Sequence, residues 1–152
     1  MAKKKETGAS SKVLNALKKH GYFRKISDRV QVGIPDVIGS FKGRFTGVEV
    51  KAVSEIPSDG KVPKKGSHPF DKVQVNNLEE IHKNKGIAVG LVVCGNKGVF
   101  AFYNQIDEEG RIDWNDLWDH NQFIEDVRDL SETLEWIERL IVDCGGKPFT
   151  RD

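Results

Sequence analysis

With 152 residues, 31% of them charged and 38% apolar, the chain is sized for one domain whose core needs no disulfide or metal staple. The longest apolar run, around Ile87–Val93, is too short to span a bilayer, and no hydrophobic run follows the basic start MAKKKETGASSK, which argues against an integral membrane protein and a secretory signal. Two cysteines, Cys94 and Cys144, make neither a disulfide framework nor a Cys-type zinc site, so a reducing, cytosol-like compartment is expected.

The net charge of +1 hides a strong asymmetry. Residues 1–25 hold eight Lys/Arg against one acid, residues 26–106 hold eleven against eight, and residues 107–143 hold three against thirteen. A basic first part suggests a polyanion partner; a solvated arm and an acidic surface helix are the plainer account.

In chain order, Ser10 or Ser11 can cap a helix with apolar positions Val13, Leu14, Ala16 and Leu17, ending at Gly21. Residues 1–9 ahead of it read as a flexible basic arm, and 10–152 as a single domain with its acid gathered at 107–143. Tyr22–Ile26 is a short strand. Val37–Phe41 and Phe45–Lys51 are strands about Lys42–Gly43–Arg44, hence a hairpin. Residues 54–70 carry three Pro, two Gly and three Lys and read as a functional loop. Asp71–Lys85 is a helix stopped by Gly86, with Gln74, Leu78 and Ile81 on one face. Ile87–Cys94 is a buried central strand, Gly95–Gly98 a turn, and Val99–Tyr103 its neighbouring strand. Leu130, Leu134, Ile137 and Ile141 mark a last helix. The order α-β-β-β-α-β-β-α predicts an α/β (α+β) layer fold, a central mixed sheet flanked by helices.

The chemistry concentrates in Gly33–Ile34–Pro35–Asp36–Val37–Ile38–Gly39 and Gly47–Val48–Glu49–Val50–Lys51. Strand alternation puts Glu49 and Lys51 on one face and Val48 and Val50 on the other. A two-residue loop at Lys42–Gly43 would set Asp36 opposite Glu49, with Cβ atoms roughly 5 Å apart; another turn would shift the pairing by a residue or two. Two adjacent carboxylates repel, and a divalent cation removes that cost. Magnesium, bound by oxygen ligands in an octahedron, suits two carboxylates and a backbone carbonyl, with Lys51 beside it to hold a water or a phosphate.

Pro35–Asp36 followed by Glu49–Val50–Lys51 resembles the PD-(D/E)XK nuclease motif. The string GIPDVIG…GRFTGVEVKA, with Gln74 opening the next helix, is similar to the virus-type replication-repair nuclease (VRR-NUC) group and to archaeal and phage Holliday-junction resolvases, over about residues 10–103. The resemblance implies a restriction-endonuclease-like core. It also implies a Mg²⁺ ion, replaceable by Mn²⁺, on Asp36, Glu49 and the Val50 carbonyl. Lys51 is then catalytic and Gln74 supports the site from its helix. Such families carry a glutamate near the start of the first helix; here Glu6 enters from a longer helix, or the metal shell is one ligand short.

The expected activity is hydrolysis of phosphodiester bonds in branched or otherwise irregular DNA, by a homodimer without a membrane partner, in the cytoplasm of a bacterium or a phage-infected cell. Lys3, Lys4, Lys5, Lys12, Lys61, Lys64 and Lys65 would grip backbone phosphates. A flap, single-strand or nicking nuclease is the alternative within that class, and a non-catalytic DNA-binding protein or an acidic-segment interaction module outside it. Each residue also has a plainer use: Asp36 opening a turn, Glu49 and Lys51 on a solvated strand face, Gln74 bonding backbone. The histidines lack metal-ligand spacing and read as surface residues. Trp114, Trp118 and Trp136 read as packing residues.

Overall fold

The computed structural model describes residues 2–26, 34–53, 70, 72–101 and 123–143; for 2–7, 101 and 123 it describes the backbone alone. Its elements are α1 (Ala2–Lys18), β1 (Tyr22–Lys25), β2 (Val37–Phe41), β3 (Arg44–Ala52), α2 (Lys72–Lys83), β4 (Ile87–Cys94), β5 (Lys97–Ala101), β6 (Phe123–Ile124), a 3-10 turn at Val127–Asp129 and α3 (Leu130–Asp143). Among the described residues, the strands form one mixed sheet in the order β1-β2-β3-β4-β5-β6. Every neighbouring pair is antiparallel except β3–β4, which is parallel and connected through α2.

The hairpin β2–β3 turns on Lys42 (φ 51°) and Gly43 (φ 81°). Two successive positive φ values make the type I′ loop whose twist matches that of the strands it joins. The register that follows pairs Val37 with Val48 and Phe41 with Arg44. Lys42 adopts this conformation without being glycine or asparagine. Its Nζ then meets Glu135 of α3 at 3.4 Å, while Arg44 meets Glu138 at 3.7 Å.

The sheet is covered on both faces. On one, Ala9, Val13 and Leu17 of α1 and Leu130, Leu134, Ile137 and Ile141 of α3 are buried in a common core with Val37, Phe41, Val48, Val50, Val89 and Leu91. The spacings of these helical residues are those of a 3.6-residue stripe, which is why both helices lie along the sheet. Trp136 packs edge-on against Phe100 with ring centroids 6.4 Å apart, a packing role as expected. On the other face α2 packs on β3 and β4, burying Val75 and Leu78.

Close approach of α2 depends on Gly47. A Cβ there would stand 2.7 Å from Ile81 Cδ1 and 2.9 Å from Pro35 Cγ. Gly47→Ala is therefore expected to cost about 1–3 kcal/mol by forcing α2 off the strand. Thermal unfolding checks this; an unchanged midpoint would show that Ile81 repacks freely.

Several boundaries differ from the sequence reading. The first helix starts at Ala2, not at Ser10 or Ser11, so residues 2–9, read as an arm, have helical backbone. Ser10 is buried within that helix rather than capping it. The β4–β5 turn is the tight pair Gly95–Asn96, with Cys94 opposite Lys97, so β5 begins two residues before Val99. The two-residue β6 is too short to leave a periodic signal. His82, read as a surface residue, is buried in α2. Among the described residues, no helix is long and apolar enough to cross a membrane.

Candidate active site

The antiparallel ladder between β2 and β3 ends at Val37–Val48, and Asp36 and Glu49 are the next positions on either strand. Asp36 follows the buried Pro35. Its backbone carbonyl accepts from Ile26 N at 2.7 Å, tying it to the strand beyond. Its carboxylate turns the other way and accepts from Val50 N through Oδ2 at 2.9 Å. In a strand, a residue's N–H and C=O project to the same side. The Val50 carbonyl therefore also projects toward β2, beside the Asp36 carboxylate.

Glu49 is only 3% exposed. It lies on the α2 face of β3, with Gly47 and Lys51. Gln74 Nε2, from the first turn of α2, donates to Glu49 Oε1 at 2.6 Å. Among the described residues the other oxygen, Oε2, is buried and receives no hydrogen-bond donor. Burial, and after it the negative charge of Asp36, push the Glu49 carboxyl up to about 9, against the opposing pull of Lys51. At neutral pH and without a cation, Glu49 thus carries a proton, placed where it can be shared with Asp36.

A buried carboxylate oxygen without a donor, an adjacent acid and an all-oxygen donor set fit a hard divalent cation. Among the described residues no third His, Cys, Asp or Glu joins them. The Glu6 position lies in α1, seven residues before Val13 and so about 20° from it around the helix. The Glu6 side chain lies outside the described residues, as do those of Lys3, Lys4, Lys5, Lys61, Lys64 and Lys65.

The structure thus brings Asp36, Glu49, Lys51, Val50 and Gln74 together. Lys12 stands elsewhere: its Nζ donates to Asn96 Oδ1 at 3.0 Å and to Gly95 O at 3.3 Å. It lines a cleft of about 440 Å³ between α1 and the β4–β5 turn, with Lys19, Asn96, Asp126 and Arg128, away from the acids. Sequence reasoning passed over Tyr22 and Arg24 of β1 and Phe45 of β3, which lie on the sheet face that holds Glu49. The signal for β1 was its alternation, which sends Phe23 to the core and its two neighbours to the opposite face.

No family model and no curated protein matches the chain.

Proposed function

We propose that the chain is a Mg²⁺-dependent DNA endonuclease of the PD-(D/E)XK class, with a restriction-endonuclease-like core, acting on branched or otherwise irregular DNA. The observation that carries this reading is the convergence of Asp36 and Glu49 at the end of a shared ladder, with Glu49 Oε2 buried and without a donor among the described residues. The element order and the parallel β3–β4 pair across α2 are consistent with it.

In this reading Asp36, Glu49 and the Val50 carbonyl hold Mg²⁺ or Mn²⁺. When bound, the ion polarises a phosphate oxygen and acidifies a bound water. The Val50 N–H fixes the Asp36 carboxylate, and Gln74 fixes Glu49 in its rotamer. Lys51, on the Glu49 face of β3, offsets charge that develops on the phosphate under attack. Each protomer holds one site, so cutting both strands of a junction calls for a symmetric homodimer. The small number of cysteines agrees with a cytoplasmic setting in a bacterium or a phage-infected cell.

The test is cleavage of labelled four-way junction, flap, splayed and plain duplex DNA, with and without Mg²⁺. Metal-dependent cutting that favours the branched substrates over plain duplex, by a particle of about twice 17.1 kDa in light scattering, is the expected result. A monomer that cuts flaps or nicks would keep the site and replace the resolvase reading. The non-catalytic alternative draws on the missing third carboxylate among the described residues. It predicts binding without cutting at any metal concentration.

The lysines of α1 have their own consequence. Deleting residues 1–9 removes Lys3, Lys4 and Lys5. If they neutralise phosphates, affinity falls for every DNA shape and the salt slope shrinks by up to about 3. Circular dichroism and Tm control for the shortened helix, which also loses the buried Ala9. An unchanged slope would leave these lysines without a DNA role.

A further inference from the structure

On the α2 face of the sheet, strand alternation and register place side chains in rows. Asp36 and Glu49 form one row. Arg24, Ile38 and Gly47 form the next on this face, and Tyr22, Ser40 and Phe45 the one after that. At about 3.3 Å per residue, the Tyr22–Phe45 row lies about 13 Å along the sheet from the acids, and Arg24 about 7 Å. The helix α2 packs on β3 and β4, so this end of the face is open: Tyr22 is 63% exposed and Phe45 is 50% exposed.

Apolar surface gathered in one place marks a contact site, and the two exposed rings share one row of this face. Tyr22 is also held in place. Arg24 Nε donates to its hydroxyl at 3.0 Å, and the guanidinium carbon lies 5.2 Å from the ring centroid. Among the described residues no carboxylate pairs with Arg24, whereas Lys42 and Arg44 nearby are both matched to acids of α3. The strip therefore offers two ring faces and one uncompensated cation, in line with the two acids.

We infer that Tyr22, Arg24 and Phe45 form a platform for unpaired nucleotides of the strand whose phosphate lies at Asp36 and Glu49, so that the substrate is DNA with single-stranded bases beside the cut. The inference rests on the nuclease reading for the position of the cut. Base stacking on an aromatic ring needs a π-face but no base-specific hydrogen bond, and Arg24 adds attraction to the backbone. A fully paired duplex keeps its bases stacked on one another and cannot use the rings. The platform thus selects for DNA structure and leaves sequence unread.

The experiment measures binding and cutting separately. Binding of a fluorescent oligonucleotide, single-stranded or fully paired, is titrated with the Asp36→Asn chain, alone and combined with Tyr22→Ala, Phe45→Ala or Arg24→Ala. The two aromatic variants are expected to lose about five- to a hundred-fold in affinity for the single strand and little for the duplex. Tyr22→Phe should restore binding, since the ring is what stacks. Arg24→Ala should lower the salt slope by about 1, which the aromatic variants should not do.

Cutting is followed in the same variants with Asp36 intact, on a duplex with a single-stranded branch. Equal affinity of all variants for the single strand, while the unaltered protein cuts, would overturn the platform and leave the nuclease reading in place. No cutting by the unaltered protein, with single-strand affinity still dependent on Tyr22 and Phe45, would overturn the nuclease reading and keep the platform. A change of particle mass in light scattering with Tyr22→Ala, without a change in single-strand affinity, would assign the strip to a second copy of the chain and overturn the inference.

Discussion

Asp36→Asn abolishes Mg²⁺-dependent cleavage in the expected outcome, by about a thousand-fold or more, because a neutral amide is a poor ligand for the divalent ion that would offset the negative charge developing on the phosphate. The substitution is mild in structure. An amide oxygen can still accept from Val50 N, the bond that Asp36 Oδ2 makes at 2.9 Å. The strand connection through the Asp36 carbonyl and Ile26 N is untouched. DNA binding should stay the same or strengthen, since one negative charge leaves a surface that meets phosphates. Cleavage kinetics and a binding titration on the same preparation separate the two effects. Full activity with an unaltered Mg²⁺ dependence would remove Asp36 from the site.

The second large effect concerns Glu49 and pH. Its carboxyl is raised from the ordinary value of 4.5 to about 9, by burial first and by Asp36 second. A folded chain with such a group retains a proton that the unfolded chain releases. Its contribution to stability is therefore complete below about 4.5 and is lost as pH rises toward 9. Within that window metal-free stability should fall by up to about 1.4 kcal/mol per pH unit from this group. Glu49→Gln removes the titration, keeps an oxygen for Gln74 Nε2, and adds an amide donor toward Asp36. The variant should thus be more stable than the unaltered protein at pH 8 and nearly equal to it at pH 4.5.

A divalent cation should have the same stabilising effect on the unaltered protein, since it takes the place of the proton. Metal affinity should then rise close to tenfold per pH unit below the Glu49 value, as one proton leaves for each ion bound. Thermal unfolding across pH, with and without Mg²⁺ or Mn²⁺, reads all three quantities. A flat difference between Glu49→Gln and the unaltered chain would mean that Glu49 is ionised and compensated by some other group.

Much of this arrangement was legible in the residues because it depends on local rules. Alternation along Gly47–Lys51 separates the valines from Glu49 and Lys51 whatever else the chain does, since a strand has a period of two. A two-residue loop at Lys42–Gly43 sets the register of the hairpin, and the register sets Asp36 against Glu49. The stripes of α1 and α3 follow from helical periodicity alone, so both helices and the side they bury were evident from spacing. The start of α1 was not. Its first residues are Lys- and Ser-rich without an apolar stripe, and helical continuation through them leaves no periodic trace.

Only the tertiary structure decided how these pieces meet. Gln74 could have bonded to any backbone group on its helix; it reaches Glu49 because Gly47 lets α2 approach β3 closely. Burial of Glu49, and with it the proton it holds, arises from packing around β3, since the strand pattern by itself is compatible with a solvated face. The same holds for Tyr22, Arg24 and Phe45. Alternation assigns them a face, but whether that face is covered depends on where α2 lies across the sheet, a contact between residues far apart in the chain. Short-range periodicity carries information about direction, and long-range packing alone determines exposure, charge state and what stands beside what.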